Sequence, residues 1–116
     1  MKFDESKVTY ELIVQQDDIP VRGNAMASGD VAYDKRVEGE IIRRLENGDV
    51  WAWAHVIVIA HYDGIDDVHG CDHLGCCSYR DEADFCQPGG YYDDMKAVAV
   101  DDLRAKMEAI AAVVCG

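Results

Sequence analysis

From Val50 to Tyr62 the chain runs thirteen residues without glycine or proline, and it is apolar on both faces of an extended backbone. An alternating pattern with a period of two is the mark of a strand. One face is small: Val50, Ala52, Ala54, Val56, Val58 and Ala60. Small side chains let a helix approach closely, so this face is expected to lie under helices. The other face carries Trp51, Trp53, His55, Ile57, Ile59 and His61, too bulky for a strand open to water. Strands, loops or a second subunit are expected to cover it, because large apolar patches mark association surfaces. The alternative is a small-molecule pocket with tryptophan walls and His55 and His61 as its polar groups.

The segments around this strand supply the helices. Val8 to Gln15 alternates in the same way and reads as a first strand, ended by Asp17, Asp18 and Pro20. Gly23, Asn24 and Gly29 mark the next stretch as a loop. Ser28 then caps a helix in which Tyr33, Val37, Ile41, Ile42 and Leu45 recur at helical spacing. Its other face pairs Arg36 with Glu40 and Glu40 with Arg44, and Asn47-Gly48 stops it. Asp63-Gly64 predicts a turn into a short strand around Leu74 to Tyr79. Ser78 and Asp81 match a capping box for a helical turn through Asp84 and Phe85, which Gln87-Pro88-Gly89-Gly90 ends. A last helix from about Tyr91 to Val114 starts with Asp93 and Asp94 at its positive end and buries Met95, Ala99, Leu103, Met107, Ile110 and Val114. The order strand-helix-strand-strand-helix predicts an α+β fold: a small, mostly antiparallel sheet with two main helices packed on one face.

With 116 residues, 49% of them hydrophobic and only two prolines, the composition is that of one globular domain spanning 1–116. A formal charge of -12 repels polyanions, so direct binding to nucleic acid or to an anionic membrane is not expected. That charge suits a basic protein partner or a divalent cation. No apolar run is long enough to span a bilayer and the first residues lack a signal-peptide pattern, so the expected location is the cytoplasm.

Chemistry-bearing residues concentrate between Asp63 and Asp94, where nine carboxylates stand against the single Arg80 and four of the five cysteines lie. Cys71, His73, Cys76 and Cys86 are a candidate zinc set, since thiolate and imidazole suit a tetrahedral site. The paired Cys-x-x-Cys knuckles of a zinc ribbon are missing from the sequence, and the adjacent Cys76 and Cys77 should point to opposite faces of a strand. The expectation is therefore of no cofactor, with zinc the exception. Five cysteines leave one unpaired, Cys71 and Cys86 are a possible pair under oxidising conditions, and Cys115 is expected to be a free thiol. The acidic setting raises a thiol's pKa and argues against a Cys-His hydrolase. No catalytic residues are assigned.

The phrases IPVRGNAMASGD, NGDVWAWAHV, LGCCSYRDEADF and PGGYYDDMKA, in that order, resemble those of a group of small acidic proteins of bacteriophages and mobile genetic elements. The resemblance spans about Tyr10 to Arg104. It implies an accessory role without an assigned activity, favours packing over metal binding for Cys76 and Cys77, and carries over no site residues. The resulting expectation is a non-enzymatic interaction protein that self-associates through the Trp51–His61 face and presents an acidic surface to a basic partner. A Trp- and His-lined binding pocket and a zinc-stapled domain are the alternatives.

Overall fold

The structure, a computed structural model, describes residues 2–115, with side chains described through 113. A three-stranded antiparallel sheet has the order β1-β2-β3, with β1 at Val8–Gln16, β2 at Ala54–Tyr62 and β3 at Ile65–Cys77. The helices are α1 at Val31–Glu46, α2 at Glu82–Phe85 and α3 at Tyr91–Cys115. The fold is α+β, with helices packed on the sheet. The chain divides into two compact units, one made of Met1–Ile13, Ile57–His73 and Cys86–Gly116, the other of Val14–Val56 and Leu74–Phe85. The first contains α3, the second α1 and α2.

Several boundaries differ from the sequence reading, and each has a local cause. The run from Val50 is not one strand: Asp49 accepts from the Trp51 amide and caps a 3-10 turn at Val50–Ala52, so β2 begins only at Ala54. Helix α1 is capped by Asp30, whose carboxylate accepts from the Tyr33 amide at 3.1 Å, and not by Ser28, whose hydroxyl donates to Asp34. The cap of α2 is likewise Asp81, accepting from the Asp84 amide, in place of Ser78. The expected short strand at Leu74 to Tyr79 is the end of a longer one that starts just after the Asp63-Gly64 turn, where Gly64 has a φ of 81°.

In the α1 unit the core is Val21, Ile41, Ala52 and Trp53, with Val37, Ile42 and Leu45 packed against it. Trp53 is 3% exposed and donates its indole N–H to the Ile19 carbonyl at 2.7 Å, so both its apolar body and its polar tip are satisfied. Buried Glu38 accepts from the Gly23 amide at 2.6 Å and ties the loop before α1 to the helix. Trp51, Tyr79 and Phe85 form an aromatic cluster with centroids 5.0–6.3 Å apart.

In the α3 unit, Val58 and Ala60 are fully buried on the small face of β2, as their size predicts. Met95, Ala99, Leu103 and Met107 of α3 are buried as expected, joined by Val100, whereas Ile110 is 48% exposed and the Val114 side chain lies outside those described. Helix and strand approach closely at Gly70 of β3, where an added Cβ would lie 2.1 Å from the Ala99 carbonyl oxygen and 2.4 Å from the Leu103 nitrogen. Helix α3 also serves the outward edge of β3. Asp102 accepts from the Cys71 amide at 3.0 Å and Lys106 donates to the His69 carbonyl at 3.1 Å, so side chains satisfy groups that a sheet edge leaves open.

Candidate functional site

The six residues of the bulky face do not stay together. Because the 3-10 turn interrupts the alternation, Trp51 goes to the aromatic cluster and Trp53 to the α1 core. His55 also belongs to that unit, while Ile57, Ile59 and His61 belong to the other. All four of these β2 residues are half-buried, alternating with the fully buried Ala54, Val56, Val58 and Ala60.

Within the α3 unit, Ile57, Ile59 and His61 form the middle of an open sheet face. The Asp63 amide donates to the Lys7 carbonyl at 2.9 Å, which sets β1 against β2 and places Thr9, Glu11 and Ile13 beside His61, Ile59 and Ile57. On the far side, the His69 ring lies 5.9 Å from the His61 ring, centroid to centroid, at 42°. Strand alternation then puts Cys71 and His73 on the same face as His69, with Gly70 turned toward α3. Glu11 reaches across to His61, with Glu11 Oε1 and His61 Nε2 2.9 Å apart. The side chains of His61 and Glu11 are 41% and 52% exposed, so the cluster is accessible to solvent. A groove of about 410 Å³ borders it, lined by Ser6, Lys7, Thr9, His61, Tyr62 and Asp66 among others.

In the α1 unit, His55 lines a separate depression of about 290 Å³ with Gln15, Gln16, Asp17 and Asp18. Neither hollow has a tryptophan wall. Asp17 is 8% exposed and accepts from the Ile19 amide at 2.9 Å and the Cys76 amide at 2.7 Å. The Ile19 N–H first, and then the Cys76 N–H and the neighbouring His55, hold its carboxyl below the usual aspartate value.

Cys76 is the one described non-glycine residue with a positive φ, 55°, a conformation that costs an L-residue about 1–2 kcal/mol. The backbone of β3 leaves the extended region at this residue, which neither the LGCCSY string nor its β-propensity signals, while exposed Cys76 and buried Cys77 lie in different surroundings as adjacent strand residues are expected to. The exposed Cys76 thiol is raised by local desolvation and then by the Asp17 carboxylate. The buried Cys77 thiol is pushed up to about 11 by burial, then by Cys76 and Asp17. Both shifts favour the protonated thiol, the opposite of an activated nucleophile.

The candidate zinc set is not gathered. Cys71, Cys76, Cys77 and Cys86 are not joined in disulfides, and among the described residues no group of three or more His, Cys, Asp or Glu side chains is arranged to hold a metal ion. The Cys71–Cys86 pair is accordingly not bonded, and the Cys115 thiol lies outside the described side chains. Among the described residues no helix is long and apolar enough to cross a membrane. From the sequence, His69 counts among the His and Cys residues near Cys71 but not in the candidate zinc set, and Glu11 is given no role beyond β1. Their signal is present only in pairing across strands: Glu11 lies 50 residues from His61 along the chain, and the His69 ring comes beside that of His61 only where β3 runs along β2. No protein-family model, curated protein or solved structure matches the chain.

Proposed function

We propose that the protein is a non-enzymatic interaction module that self-associates through the β2-centred face of its α3 unit and offers its acidic surface to a basic protein partner. The observation that carries this reading is the placement of Ile57 and Ile59, half-buried in the middle of a sheet face whose reverse is packed by α3. Aliphatic side chains at the centre of an accessible face, ringed by polar residues such as Thr9, Glu11 and His61, have the layout of an association surface. The formal charge of -12 supplies the second half of the reading, because it steers cationic partners and repels nucleic acid. An accessory role in a phage or mobile element is in keeping with the resemblance of the four sequence phrases.

Sedimentation velocity over a range of concentrations tests the association. The native chain is expected to form a dimer or larger species, and Ile59→Lys, which sets a charge at the middle of the face, is expected to shift it to monomer without loss of helical signal. A native chain that remains monomeric at every concentration, both with and without added divalent metal, or an Ile59→Lys variant that associates unchanged, would overturn the assignment of this face.

A further inference from the structure

We infer that His61 and His69 form one half of a transition-metal site, completed by the same pair from a second copy, so that a divalent cation such as zinc joins two chains through their open sheet faces. The inference rests on the self-association proposed above and names what holds the copies together.

The geometry starts with the strands. The His69 carbonyl points away from β2, where it accepts from Lys106, so His69 occupies the close, non-hydrogen-bonded kind of position relative to β2. At such positions side chains of neighbouring strands stand nearest one another. The ring centroid separation of 5.9 Å puts two imidazoles within reach of one ion at a metal–nitrogen distance of about 2.0–2.1 Å after small ring rotations. Imidazole pairs select zinc, copper and nickel over calcium or magnesium, which prefer oxygen.

Glu11 supplies what such a ligand needs behind it. Its carboxylate lies 2.9 Å from His61 Nε2. By accepting the proton there it leaves the lone pair on Nδ1 and fixes the ring, as carboxylates behind metal-bound histidines do. Glu11 is thus a positioning residue.

Two imidazoles fill half of a tetrahedral shell, and within one chain no third ligand is arranged to join them among the described residues. A two-fold axis through the ion makes the missing half identical to the half present. Charge points the same way. Two chains of formal charge -12 repel each other, and a divalent cation between the faces offsets that repulsion where they meet.

Native mass spectrometry and sedimentation velocity on the full chain, with zinc chloride, with magnesium chloride and after treatment with a chelator, test this. Expected are a zinc-dependent dimer holding one zinc per two chains, no effect of magnesium, and reversal by the chelator. His69→Ala and His61→Ala are expected to abolish the zinc-dependent dimer, Glu11→Gln to weaken zinc binding about ten-fold, and His73→Ala to leave it intact. A dimer that persists in chelator and in His69→Ala would overturn the metal bridge while leaving self-association standing. Monomers under all conditions would overturn the bridge and the self-association together. One zinc per monomer, or zinc lost in His73→Ala but kept in His69→Ala, would also overturn the shared site, the latter in favour of the Cys71, His73, Cys76 and Cys86 set.

Discussion

A single carboxylate shows how much of the α1 unit depends on contacts distant in sequence. Asp17 ends β1 with its amide donating to the Trp53 carbonyl at 3.0 Å, and its side chain takes the amides of Ile19 and Cys76. In the sequence it reads as the end of a strand, which it is; its bond to Cys76, 59 residues away, is invisible there. Hydrogen bonds to a charged acceptor are worth about 1.5–3 kcal/mol each, and Asp17→Asn replaces that acceptor with an amide whose N–H2 group faces a donor. The expected loss is about 2 kcal/mol at neutral pH. Because the folded state lowers the Asp17 pKa, its contribution is complete above the ordinary carboxylate value and fades as pH falls through the lowered one. Urea unfolding of the native chain and the variant at neutral pH and near pH 3 should show the gap between them narrowing in acid. A gap independent of pH would mean that Asp17 acts through packing alone.

The elements themselves differ in how openly the sequence announces them. The small face of β2 is legible in Val56, Val58 and Ala60, because burial under a helix selects side-chain size and that selection recurs every second residue. Likewise the stripe Met95, Ala99, Leu103 and Met107 is legible from its spacing. The 3-10 turn before β2 is not, since Val50 to Ala52 has the composition of a strand and only the Asp49 cap turns it. That turn dismantles the six-residue face and sends the two tryptophans elsewhere. The length of β3 is hidden for a different reason: Asp66, Asp67 and Asp72 are poor strand formers, tolerated on an edge strand whose outward groups α3 satisfies. The contact of β3 with α3 depends on Gly70. A methyl group there would overlap backbone atoms of Ala99 and Leu103, which cannot yield without moving the helix. Gly70→Ala is therefore expected to cost about 3 kcal/mol or more, read as a fall in the chemical denaturation midpoint, whereas Gly39→Ala, with nothing near its Cβ position, should be neutral or stabilising. Equal effects from the two would show that β3 and α3 are not in the close contact described.

At the scale of the whole molecule, 23 acidic against 11 basic side chains make charge the dominant long-range term. Ion pairs such as Lys106 with Asp102 at 2.9 Å and Arg44 with Asp49 at 2.8 Å use some of the cations locally. Exposed pairs of this kind contribute about 0–1 kcal/mol each, too little to offset the repulsion among the remaining carboxylates. Raising ionic strength from ~0.01 M to ~0.1 M shortens the screening length from about 30 to about 10 Å. The melting temperature is therefore expected to rise with sodium chloride over that range, and a fall would mean that the ion pairs outweigh the excess charge. Charge, α+β class, helix faces and the small face of β2 were determined by the sequence alone, because each follows from composition or from a period of two or 3.6 along the chain. The tertiary structure alone decided that the tryptophans belong to the α1 unit, that Gly70 meets a helix backbone, and that Glu11, His61 and His69 meet on one face. Those depend on how strands pair and where a helix packs, which no local periodicity records.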